Sequence, residues 1–205
     1  VRAVVRSDDG VQIRTDAGWE HFDRLVLATH SDQALSLLAD ASPAEHELLG
    51  AIQYQPNRAV LHTDASVLPA RRKAWASWNY ERGTGGPDEA RVCLHYLLNM
   101  LQPLPWRQPV LVSLNPVREI DPATVVGDYD YAHPVFDLAA IRAQDRMPEI
   151  QGRRCTWFAG AWMGYGFHED GLKAGLAAAR DLLARAGRGQ AASPAPEGGA
   201  LEVAA

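Results

Sequence analysis

The chain has 205 residues, 47% hydrophobic and 22% charged, with a formal net charge of −5. That length buries a substantial core in one or two domains, and the negative balance argues against a nucleic-acid partner, which wants a clustered basic face. No uninterrupted apolar run approaches the roughly 20 residues of a membrane-spanning helix.

The chain begins without Met, and Val1-Arg2-Ala3-Val4-Val5 already alternates like a strand in progress. Asp8-Asp9-Gly10 reads as a tight turn, because Asp-Gly supplies the positive φ such turns need, and Val11 to Thr15 alternates again. The expectation is a chain that opens inside a β-hairpin, as an engineered fragment or proteolytic remnant would. Leu25 to Ala28 is a continuous apolar run, the pattern of a parallel strand covered on both faces. Ser31 is placed to cap a helix over Asp32–Leu38, with Asp32 favourable in its first turn. Ser42-Pro43-Ala44-Glu45 is a capping box with Pro at the first helical position; its helix runs to about Leu49.

From Ile52 to Pro116 the pattern changes. Ala59–His62, Ala74–Tyr80, Val92–Leu97 and Val110–Leu114 read as strands of a mostly antiparallel sheet, separated by turn formers at Asp64–Pro69, Gly83–Asp88 and Pro103–Pro105. His133-Pro134 is expected to open a helix over Val135–Arg146. Cys155 to Gly160 reads as a buried strand breaking at Gly160. A loop follows, then an Ala-rich helix with apolar residues at Leu172, Leu176, Ala179 and Leu183. The Gly-, Pro- and Ala-rich segment 187–205 reads as a disordered tail. Cys93 and Cys155 form no CxxC pair and read as buried small hydrophobes in a reducing cytoplasm.

Two segments resemble flavoprotein motifs. Phe22-Asp23-Arg24-Leu25-Val26-Leu27-Ala28-Thr29 is similar to the strand that returns from the β-meander of two-dinucleotide-binding-domain flavoproteins. Trp157-Phe158-Ala159-Gly160, a loop, and Gly166-Phe167-His168-Glu169-Asp170-Gly171-Leu172 resemble the C-terminal FAD motif of the flavin-containing amine oxidoreductase superfamily. Tyr54 to Asp64 and Gly164 to Gly171 look like its bacterial predicted NAD/FAD-binding protein branch. The likeness covers residues 1–186 and implies an α/β fold with α+β character: a C-terminal fragment of such a flavoprotein plus a mostly antiparallel substrate-domain sheet. Segments 1–40 and 150–186 would be a partial FAD-binding domain, and 41–149 a substrate domain.

The resemblance implies hydride transfer from an apolar or amine substrate to FAD. Ala28, Thr29, Gly160, Ala161, Gly166, Phe167, His168, Asp170, Gly171 and Leu172 would border the cofactor, with main-chain amides at the helix start facing the electron-rich ring. Gly160 and Gly166 would allow close backbone approach; Gly160 and Gly171 also suit an ordinary turn and cap. Arg58, Trp162 and Phe167 would line a substrate pocket. Two departures stand out: Ala161 replaces the family's Glu or Asp, and no lysine precedes Lys73 on the strand where amine oxidases carry one near the flavin. The first weakens the ribityl contact; the second, with Phe167 at the position of a cage aromatic, tilts the expected substrate toward a lipid-like or other apolar molecule. No G-x-G-x-x-G follows a strand; Gly83-Thr84-Gly85-Gly86 sits between sheet strands. Alone, the chain is therefore expected to bind FAD weakly or not at all and to be inactive.

No catalytic base is identifiable. His62 and Asp64 share a strand face and His95 could lie opposite, yet none of the seven histidines falls in a metal-binding spacing, so no metal is expected. Glu169 and Asp170 suit a helix start. His30 suits a turn. Most of Trp75, Trp78, Trp106, Trp157 and Trp162 are expected in the core, with Trp162 the best placed to line a pocket. The rival reading is a non-catalytic β-rich interaction module. Apolar surface uncovered by truncation would then favour a homodimer.

Overall fold

A computed structural model of the chain describes residues 1–83 and 92–190. They form two compact units: Val1–Gln53 with the chain from Pro134 onward, and Tyr54–His133. The division falls later than 40/41 and earlier than 149/150. Helices α1 (Ser31–Leu37), α2 (Pro43–Gly50) and α3 (Leu138–Arg146) pack in series, which keeps the segments around positions 41–53 and 134–149 with the first unit.

The first unit opens with an antiparallel meander of β1 (Ala3–Arg6), β2 (Val11–Thr15) and β3 (Gly18–Phe22). The Asp8-Asp9-Gly10 turn closes with the Ser7 N–H donating to Gly10 O at 2.9 Å. β4 (Leu25–Leu27) then pairs in parallel with β10 (Thr156–Phe158), giving a two-stranded sheet. β4 is not covered on both faces as expected. Leu27 is buried but Val26, whose side chain points to the opposite face, is 41% exposed. Ser31 is not the cap of α1 but its first residue, and it is buried; His30 is the N-cap, its N–H donating to the Gln33 side chain at 3.3 Å.

The Ser42 capping box of α2 is present. Ser42 Oγ accepts the Glu45 N–H at 3.3 Å, and the Glu45 carboxylate accepts the Ser42 N–H at 2.7 Å. Glu45 also binds the wholly buried Arg6 guanidinium, at 2.5 and 2.8 Å. Arg6 Nε in turn donates to Asp40 at 2.9 Å, and Asp40 receives Arg154 at 2.7 Å. β1, α2 and the turn before β10 are thus tied by one charged cluster.

The second unit is a five-stranded sheet in the order β6-β7-β8-β5-β9, where β5 is Gln53–His62, β6 Trp78–Arg82, β7 Val92–Leu97, β8 Leu111–Leu114 and β9 Val125–Val135. β6 pairs with β7, β7 with β8 and β5 with β8, each antiparallel. Its core joins Val60, Val67, Leu68, Leu97, Leu111 and Ile120, with Trp75 packed against them. β6 starts four residues later than expected because Arg72–Ala74 is a turn of 3-10 helix. β9 was not foreseen: His133-Pro134 lies in this strand rather than opening a helix. Pro has no N–H to donate, and a sheet edge tolerates that. The helix begins at Leu138, with Asp137 Oδ1 accepting the Ala140 N–H at 2.8 Å. Trp78 and Trp106 are 57% and 58% exposed, so they are not core; Trp78 packs edge-on against Tyr96.

α4 (His168–Gln190) continues past Gly187, where the sequence places the start of a tail; 191–205 lie outside the described residues, as do 84–86 of the Gly-rich loop and the rest of the Gly83–Asp88 turn through Asp88. Among the described residues, no helix is long and apolar enough to cross a membrane.

Removing one partner of a buried ion pair strands the other. Glu45→Ala should cost about 3–5 kcal/mol, read as a lower denaturant midpoint. Burial pushes the Glu45 and Asp40 carboxyls up, but hydrogen bonds from Arg6 and backbone amides outweigh it and hold both below their ordinary values of 4.5 and 3.8. Folded values below unfolded ones mean that this stabilisation is complete above pH 4.5 and lost as pH falls through the folded values. The wild-type midpoint should therefore fall on acidification more steeply than that of Glu45→Ala.

Candidate functional site

β4 and β10 pair in the register Leu25↔Thr156, Val26↔Trp157 and Leu27↔Phe158. Parallel pairing brings both C-terminal ends out at one edge, the edge where α/β sheets bind ligands. The Ala159 N–H donates to Leu27 O at 3.0 Å, and the Trp162 indole N–H to Thr29 O at 2.9 Å. Ala28-Thr29 and Ala159-Gly160-Ala161 are therefore neighbours, as the resemblance implies.

The chain then makes a 3-10 turn, Ala161–Met163, held by Gln144 of α3, whose side-chain amide donates to Trp162 O and Gly164 O at 2.8 Å each. Gly166 N–H donates to Ala161 O at 3.1 Å, and Gly166 adopts φ +86°, a left-handed conformation that favours glycine. The Asp170 carboxylate reaches back to accept the Tyr165 and Phe167 N–H groups at 3.1 and 3.0 Å, so it caps its own helix. Phe167, His168 and Leu172 remain exposed around the helix start, where the Asp170 and Gly171 N–H groups already donate to Phe167 O at 3.0 and 3.2 Å.

A flavin dinucleotide fits this edge in part. The start of the long helix α4 lies beside two parallel strand ends, but the Asp170 carboxylate already occupies part of it. Gly160 does not offer the open cradle its sequence context implies: a Cβ there would clash with the Trp162 indole, so the glycine accommodates tryptophan. Its φ of 168° is ordinary extended backbone. A Cβ at Gly171 would find only ordinary contacts. Trp162 is 3% exposed and bonded to Thr29, which makes it part of the wall behind the edge and not a pocket lining. Arg58 lies in the second unit. Its guanidinium is engaged by Asp128 at 2.5–3.1 Å, which raises its pKa above the ordinary value.

The two sheet edges differ, which sequence reading did not reveal. β10 is sealed on its outer side: the Gln151 side chain bonds both Phe158 N–H and Phe158 O, at 2.8 and 2.7 Å, while Arg153 O and the Gly152 N–H take Thr156. β4 pairs with β10 alone among the described residues. In this register the N–H and C=O of Val26 point away from β10, along an open edge. Nothing in local sequence marks Gln151 or Gln144 for these tasks.

The fold is similar to part of several solved structures. Cyclohexylamine oxidase from Brevibacterium oxydans IH-35A matches with a TM-score of 0.58 at 13% identity, over 92% of this chain and 48% of that one. Putrescine oxidase bound to putrescine matches at 0.56 and 15%, over 90% and 48%. The fatty acid isomerase from P. acnes that produces CLA matches at 0.55 and 18%, over 90% and 46%. The chain spans about half the length of these solved proteins, and at such identities the likeness is one of fold. No protein-family model and no curated protein matches the chain.

Asp170→Ala should cost about 1–2 kcal/mol as a lost helix cap. It should also speed hydrogen exchange at the Tyr165 and Phe167 amides, with the β4–β10 amides unchanged. Unchanged exchange at all of these amides would contradict the capping role.

Proposed function

We propose that the chain is half of an FAD-dependent oxidoreductase, in which the β4–β10 edge and the start of α4 hold one side of the flavin. The open Val26 edge of β4, beside a β10 sealed by Gln151, carries this reading. A sheet that is closed on one side and open on the other can take a further strand there. The missing half, encoded ahead of Val1 or on another chain, would supply that strand and the glycine-rich turn for the pyrophosphate. Bound FAD would accept a hydride from substrate carbon. This chain's share is to present α4 amides to the ring, through the loop ordered by Asp170 and Gln144, and to line the approach with Phe167. The substrate class is apolar, lipid-like or amine; the exposed Phe167 and the absence of a lysine before Lys73 favour an apolar one. Glu and Asp are both missing at position 161, so the ribityl chain would be bound by main-chain groups.

The test is direct. FAD added to this chain alone should leave it colourless after gel filtration. Co-expression with the sequence that precedes it in its gene should give a yellow protein carrying a strand followed by G-x-G-x-x-G. Val26→Pro removes an N–H that β10 does not use. It should abolish the yellow colour in the longer protein while this chain keeps its circular dichroism. A colourless longer protein would favour a β-rich interaction module instead.

A further inference from the structure

The second unit holds a buried polar cluster that this flavin reading does not use. Glu81 on β6 lies directly opposite Cys93 on β7, and His95, two residues on, shares the Cys93 face. One ligand atom from each lies within 4.8 Å of the others. Cys93, His95 and the neighbouring Ser113 are fully buried, whereas the Glu81 side chain reaches solvent.

The hydrogen bonds fix where the protons sit. The Asp64 N–H donates to His62 Nδ1 at 3.1 Å, so neutral His62 carries its proton on Nε2, 2.6 Å from Ser113 Oγ. The Ser113 hydroxyl then donates to His95 Nδ1 at 2.6 Å, which leaves the His95 proton on Nε2. That one N–H faces two acceptors, Glu81 Oε2 at 3.0 Å and Cys93 Sγ at 3.4 Å. Three electron-pair donors therefore converge on a single proton inside the sheet. The Asp64 carboxylate takes no part; it bonds the Ser66 and Asp121 N–H groups.

The geometry points to Glu81, Cys93 and His95 as a binding site for a divalent ion of zinc's type. Around tetrahedral zinc, with bonds of about 2.3 Å to sulfur and 2.0 Å to nitrogen or oxygen, sulfur and nitrogen lie about 3.5 Å apart and nitrogen and oxygen about 3.3 Å. The observed 3.4 and 3.0 Å need shifts of a few tenths of an ångström, and the Cys93 sulfur and Glu81 oxygen, within 4.8 Å of each other, must close toward about 3.5 Å. A thiolate, an imidazole and a carboxylate are the donors zinc takes, and solvent on the Glu81 side would fill the fourth position. Arg118 holds the other Glu81 oxygen at 2.7 Å and orients the carboxylate. On capture, the Cys93 thiol proton and the His95 Nε2 proton pass to solvent. A proton returns to His95 Nδ1 as the chain reverses: the Ser113 hydroxyl turns to His62 Nε2, and His62 takes its proton on Nδ1, forgoing the Asp64 bond.

Cobalt(II) added to the whole chain under reducing conditions should give the near-ultraviolet absorption of a thiolate–cobalt bond and visible bands of a tetrahedral ion, at one equivalent, displaced by zinc. Cys93→Ser should remove the thiolate band and Cys155→Ser should keep it. Glu81→Gln, at a partly exposed side chain, should weaken binding by roughly tenfold or more with the circular dichroism unchanged. No absorption on the folded wild-type chain, or a thiolate band that survives Cys93→Ser, overturns the assignment. If Cys93→Ser does not fold, a Glu81→Gln affinity equal to wild type overturns it too. These readouts do not involve flavin, so they stand or fall separately from the oxidoreductase reading.

Discussion

The parallel register of β4 with β10 is the constraint on which the candidate site depends. Each strand is only three residues long, so few ladder bonds hold the pairing and side chains must fix it. A slip by one residue would exchange the two faces of β10. Trp157 prevents this from one face: it packs with Ala159 against Ala174 and Ala178 of α4, and its indole N–H reaches Asp181 at 2.8 Å. Gln151 fixes it along the outer edge, since a slipped Phe158 would lose both of its amide bonds. With the register set, Thr29 O and the Trp162 indole meet, and the turn into α4 can begin in one place only.

The same arrangement reassigns the glycines. Gly160 and Gly166 both look like positions cleared for a ligand. Gly160 makes room for a tryptophan of its own chain, whereas Gly166 is required by a left-handed backbone in an exposed loop. Glycine in a sequence marks where a Cβ is unwelcome; whether the excluded neighbour is a ligand or an indole is decided in three dimensions.

Much of the framework was legible because it rests on local rules. The Asp-Gly hairpin, the Ser42 capping box and the strand–turn–helix after Phe158 are each written within a few adjacent residues. The misreadings share a cause. His133-Pro134 suits a helix start by local preference, but a sheet neighbour captured it as an edge strand, and no window of adjacent residues contains that neighbour. Ser31 reads as a cap, although the helix begins at Ser31 itself and His30 is its N-cap. Val26 reads as a covered strand residue because its own segment cannot say whether anything packs over its face. The Glu81–Cys93–His95 cluster was missed for the same reason. Its two halves lie on different strands, and only the pairing of Glu81 with Cys93 brings them together.

The charge at the start of α4 limits how any ligand could be recognised there. The positive end of a helix dipole attracts anions, but here Asp170 already sits on it and accepts two loop amides. Glu169 is exposed, 3.6 Å from Lys173, one turn further on. The field felt by an incoming group is therefore partly offset by the chain's own carboxylates. What remains distinctive is directional: main-chain N–H groups held in place by a loop that Asp170 and Gln144 order. Such donors distinguish an acceptor by its position more than by its charge, which suits a flat ring whose electron-rich atoms lie along one edge better than it suits a free phosphate, which would need net positive charge.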